Sequence, residues 1–100
     1  MSDDGELGFV QPPFNAELAL AQLRRALRDA RLAERGTGFE LRGRRVAELA
    51  LAGDAVETRL ARKLAITPEW DRHTLKNAAA QRQWLAELKK RLARWEAGED

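Results

Sequence analysis

The 100-residue sequence has no cysteine and no tyrosine, and only one histidine, one methionine and three prolines. Without cysteine there is no disulfide framework and no thiolate metal site. A single histidine also rules out a histidine-rich metal site, and no cofactor is expected. Catalytic groups are equally scarce. His73, in Asp71-Arg72-His73, would need an orienting carboxylate and a nucleophile, and the one serine, Ser2, sits near the start of the chain. Glu69 is four residues before His73, within reach on a helix, so a surface pairing of the two is expected. Gly36-Thr37-Gly38 lacks the later glycine and the Gly-Lys-Ser/Thr ending of a phosphate loop. An enzyme is therefore not expected. No apolar run approaches the roughly 18 residues of a membrane span. The stretch MSDDGELGF is acidic and has neither the basic nor the apolar part of a signal peptide, so the reading is cytoplasmic.

What the sequence has in quantity is arginine, 14 of its 18 basic residues. The formal net charge of +2 hides an asymmetry. Residues 7–95 hold all 18 basic residues but only 10 of the 16 acidic ones, a net of +8. Such a balance raises nucleic acid or an acidic protein as a partner. The bias of a GC-rich genome toward arginine and alanine would produce it too.

The longest helical pattern runs from Thr74 to Trp95. Ala78, Gln81, Leu85, Leu88, Leu92 and Trp95 are spaced three and four apart and share one helix face, flanked by Trp84. Gly98 stands where a helix C-terminus favours glycine. A first helix starts after Asn15, a good N-cap, with Phe14 as hydrophobic staple, and is expected to reach about Glu34. Its stripe is Ala16, Leu20, Leu23, Leu27 and Ala30, and Arg24, Arg28, Arg31 and Arg35 form a row beside it.

Between the helices, Gly38–Arg42 and Arg44–Glu48 alternate in short period about Arg42-Gly43. This predicts a hairpin with Glu40 opposite Arg45 and Val46 opposite Phe39. Whether residues 44–52 are strand or helix stays open. Gly53-Asp54 then punctuates the chain. Asp54 and Glu57 have capping-box spacing, and Val56, Leu60 and Leu64 fit a short helix over Ala55–Ala65. Thr67-Pro68 marks the next start.

The expected architecture is a mainly helical α+β fold: helix, short hairpin, short helix and long C-terminal helix, packed as a small bundle. Residues 1–13 read as a flexible acidic tail, 14–97 as one domain and 98–100 as a flexible acidic end.

The segment LARKLAITPEWDRHTLKNA resembles the helix-turn-helix of bacterial DNA-binding proteins, through Leu60, Ala61, Leu64, Ile66-Thr67 and Thr74-Leu75. The resemblance implies a second helix in the major groove, with Arg72, Lys76, Asn77 and Gln81 facing the bases. Ala65 replaces the usual turn glycine, and Pro68–His73 is a long insert for that turn.

The reading drawn from the whole is a small non-enzymatic, bacterial-type interaction module. It would bind a protein partner, or itself, through Trp84, Leu88, Arg91 and Trp95 on the long helix, since aromatic anchors with arginine are typical of such contacts. The alternative is nucleic-acid binding through Arg24, Arg28, Arg31, Arg35, Arg42, Arg44 and Arg45. No membrane, small-molecule substrate or metal is implied.

Overall fold

The computed structural model describes residues 13–98. The acidic stretches assigned above to both ends lie almost wholly outside these residues. Helix α1 spans Ala16–Asp29 and helix α2 spans Ala78–Glu96. Between them run five strands: β1 (Ala33–Arg35), β2 (Gly38–Leu41), β3 (Arg44–Ala52), β4 (Ala55–Ala61) and β5 (Trp70–Leu75). All neighbours pair antiparallel, and the order across the sheet is the order in the sequence. Strand accounts for 34% of the described residues and helix for 38%. The mainly helical order of helix, hairpin, helix and helix is therefore overturned. The fold is α+β, with both helices on one face of a five-stranded sheet.

The short helix expected over Ala55–Ala65 is strand β4 followed by the loop 62–69. Val56 and Leu60, four apart, share a strand face as readily as a helix face, because four is a multiple of two. Thr58 sits between them on that face, buried, and its hydroxyl donates to the His73 carbonyl at 3.0 Å. A polar residue in the middle of the stripe hid the alternation. Residues 44–52 are strand throughout. Gly53-Asp54 is a hairpin turn, with Gly53 at φ +60°, and not the start of a helix.

Helix α1 starts as expected, with the Asn15 side chain accepting from the Leu18 N–H at 3.0 Å. It ends five residues before Glu34, through Arg31 at φ +69° and a bond from the Leu32 N–H to the Leu27 carbonyl. That early exit frees Ala33–Arg35 to form β1. Helix α2 starts four residues later than the pattern from Thr74 and is capped by Asn77, whose side chain accepts from the Ala80 N–H at 2.8 Å. At its far end Gly98, at φ +82°, bonds back to the Trp95 carbonyl.

The hairpin of β2 and β3 forms around Arg42-Gly43, both left-handed at φ +54° and +78°. Glu40 does oppose Arg45, but Phe39 opposes Ala47 rather than Val46. A bulge at Val46 shifts the register by one residue, so that Val46 and Ala47 both enter the core while Arg45 lies over Gly38 on the opposite face.

The core lies between the helices and the sheet. Leu23 and Leu27 of α1, Phe39, Val46, Leu49, Val56 and Leu60 of the sheet, and Trp84, Leu88 and Trp95 of α2 are buried together. Helix α1 packs over β3 and β4, and α2 packs beside β5. The C-terminal end of α2 reaches the β2–β3 turn, where Arg42 donates to the Trp95 carbonyl at 3.4 Å.

Candidate functional site

The Arg62 N–H donates to the Glu69 carbonyl at 2.9 Å, in line with the Leu60↔Asp71 register. Bonded and non-bonded pairs alternate in an antiparallel ladder. Asp71, His73 and Leu75 therefore turn their backbone groups toward β4, while Trp70, Arg72 and Thr74 turn theirs outward. The Thr58 bond to the His73 carbonyl agrees with this phase. No described residue bonds the outward groups. The strand ends the sheet, and Arg72, His73 and Thr74 are all exposed.

His73 is on the helix side of the sheet, opposite buried Thr58, yet it is exposed. The reason is a groove of about 280 Å³ between β5 and α2, with Leu60, Leu75, Ala80 and Trp84 among its lining and Gln83 and His73 beside them. The wall at one end is a charged network. Arg91, a residue of α2 with a side chain 14% exposed, bonds Glu87 at 2.7 Å, Asp71 at 2.8 Å and the Ala61 carbonyl at 3.0 Å. Arg62 holds the other oxygen of Asp71 at 2.8 Å. The Arg62 hydrogen bond, joined by that of Arg91, lowers the Asp71 pKa below the usual carboxylate value. Arg91 does the same for Glu87, with Lys90 and Arg94 contributing. The carboxylates of this wall are thus neutralised within the molecule.

On the opposite face no helix of the described residues covers the sheet. Arg35 pairs with Glu40 at 3.0 Å, Arg45 with Glu48 at 2.9 Å and Arg59 with Glu48 at 3.4 Å. A shallow concavity of about 340 Å³ lies there, bordered by Glu48, Glu57, Arg59, Arg72 and Thr74.

The expected partner face on α2 is placed differently. Trp84, Leu88 and Trp95 are 4%, 1% and 1% exposed and belong to the core. Of that set, Arg91 forms the end wall of the groove and the edge of buried Trp84 contributes to its floor, whereas Leu88 and Trp95 do not line it. The five-stranded sheet, of which the sequence reading held only the hairpin, supplies the cover that those aromatics needed. The seven arginines of the nucleic-acid reading are split between the two sides of the sheet. Arg24 and Arg28 both meet Glu34 on the helix side, at 3.8 and 2.8 Å, whereas Arg35 and Arg45 lie on the open face. Arg31 and Arg42 occupy left-handed turn positions, and Arg44 is exposed at the start of β3.

The helix-turn-helix resemblance falls on β4, a loop and β5, so no recognition helix exists there. Arg72 is in a strand, Lys76 and Asn77 precede α2, and Gln81 bonds Gln22 across the helices at 3.0 Å. The Glu69–His73 pairing is absent too, because in a strand those residues do not meet. Glu69 instead faces Arg62 at 3.5 Å. Among the described residues no three His, Asp or Glu side chains cluster as metal ligands, and no helix is long and apolar enough to cross a membrane.

The free edge of β5 was the feature missed. Its only sequence signal is the run Trp70-Asp71-Arg72-His73-Thr74-Leu75, bounded by Thr67-Pro68 and Asn77. No family model, no curated protein and no solved structure matches the chain.

Proposed function

We propose that the protein is a non-catalytic interaction module that binds an extended segment of a protein partner along β5. One observation carries this reading: among the described residues nothing pairs with the outward backbone groups of Trp70, Arg72 and Thr74, directly beside the β5–α2 groove. Strand addition takes affinity from the backbone and selectivity from pockets for alternate side chains, and both elements are present side by side. Unguarded edges are otherwise blunted by short length, bulges or cover. Edge strand β1 is only three residues long, while β5 has six.

A panel of extended octapeptides titrated against the chain and its Thr74→Pro variant tests the reading. The Thr74 N–H points away from β4, so proline removes no bond of the sheet but blocks an added strand. Peptides that bind the parent and fail on Thr74→Pro, with unchanged circular dichroism, support the reading. Peptides indifferent to the substitution, or no binder at all, overturn it.

A further inference from the structure

We infer that the segment added to β5 carries an acidic residue opposite Arg72, with an apolar residue on either side entering the β5–α2 groove. This rests on the strand-addition reading and names the partner's chemistry.

The argument starts from one row across the sheet. Glu48, Arg59 and Arg72 are register partners on β3, β4 and β5, and all three side chains lie on the open face. Arg59 reaches Glu48 at 3.4 Å. Arg72 faces Arg59 with no acidic partner among the described residues. Like charges directly opposite on neighbouring strands are unfavourable. The row reads minus, plus, plus, and a carboxylate on a sixth strand completes it.

Side chains alternate along a strand. The residues before and after that acid therefore point to the helix side. There they meet His73 and the floor formed by Leu60, Leu75, Ala80 and Trp84, beside a wall where Asp71 is already held by two arginines. An apolar side chain fits this floor, whereas a charged one finds no unpaired opposite charge on that wall.

The same row argues against a second copy as the occupant. Antiparallel pairing of β5 with itself that uses all three outward residues sets Arg72 opposite Arg72 of the other copy. The partner is thus a chain with a different edge sequence.

The test uses capped, fluorescein-labelled peptides Thr-Val-Thr-Ile-Xaa-Ile-Thr-Val, with Xaa as Glu, Gln or Lys, in anisotropy titrations against the full chain. The Glu peptide should bind roughly tenfold more tightly than the Lys peptide, with Gln between them. Arg72→Glu should reverse the order. N-methylation of the Glu amide should abolish binding, while N-methylation of an adjacent Ile amide, which points away from β5, should not. Equal binding of all three peptides, still lost on N-methylation of the central residue, overturns the acidic requirement and leaves strand addition standing. No binding by any peptide overturns both. Self-association in sedimentation velocity that Thr74→Pro abolishes makes a second copy the occupant and overturns the inference.

Discussion

Replacing Arg91 tests how the end of the groove is held together. The guanidinium joins three elements: Glu87 on its own helix, Asp71 on β5 and the Ala61 carbonyl at the end of β4. A hydrogen bond to a charged group contributes about 1.5–3 kcal/mol. Three such bonds do not sum here. Asp71 keeps Arg62, and Glu87, with a side chain 40% exposed, can turn to water. Arg91→Met should therefore cost about 2–3 kcal/mol, chiefly through the linkage of Asp71 and Ala61 to α2. That is a fall of roughly 8–24 °C in Tm for a domain of this size.

Arg91→Lys keeps the charge but loses the planar fork, and should restore less than half of the loss. The pH dependence gives a second readout. Asp71 and Glu87 both have depressed folded pKa values, so their contribution is complete above the unfolded values near 4 and is lost as pH falls through the folded values. Removing Arg91 should flatten this acid limb, most of all the part due to Glu87. Urea unfolding followed by tryptophan fluorescence, at pH 7 and at pH 3, measures both effects. A cost below about 0.5 kcal/mol at pH 7, or full rescue by lysine, refutes the view of Arg91 as the clamp between α2 and the sheet.

Substitutions at Trp95 and Gly38 probe the core and the open face. The indole N–H groups of Trp84 and Trp95 are buried without an acceptor among the described residues. Trp95→Phe should thus lose about 1–2 kcal/mol of burial but relieve an unpaired donor worth a similar amount, giving a net change within about 1 kcal/mol by urea titration. Trp95→Ala should cost about 3–5 kcal/mol. A methyl group added at Gly38 would run into the Arg45 guanidinium, the mobile end of a long side chain. Gly38→Ala should displace that arginine from Glu48 at a cost below about 1 kcal/mol, offset by the smaller chain entropy of alanine. In an Arg45→Ala background the same change should become stabilising, and a cost that persists there would mean the backbone itself resists the methyl group.

Both helices and the β2–β3 hairpin were legible because each is specified locally. Asn15 is a strong cap, the Leu23/Leu27 and Leu88/Leu92/Trp95 spacings are long, and Arg42-Gly43 sits between alternating residues. The rest of the sheet was not legible, for reasons that differ by strand. In β3 the run Val46–Ala52 is rich in alanine and leucine, which favour helices, and only pairing on both sides makes it extended. In β4 the stripe of Val56 and Leu60 satisfies either period. In β5 both flanks are wet, so no apolar alternation marks it. The candidate site depends on α2 lying beside β5, a contact that no local pattern records. The tryptophans were misplaced for the same reason, since an uncovered amphipathic helix looks like a docking surface until the sheet is known.

The strand order has a kinetic consequence. Three of the four connections in the meander are only two residues long, and the fourth, between β4 and β5, has eight. Each strand closes onto the one just made, at the small entropic cost of a short loop, and no segment waits for a distant one. The long-range step is left to the helices, as in the bond between Gln22 and Gln81. The sheet is thus built from one elementary pairing repeated four times, and its β5 edge has the same chemistry as the edge each internal strand offers before its neighbour is added. A partner's strand arriving at β5 repeats that event once more, with the short loop replaced by a second molecule.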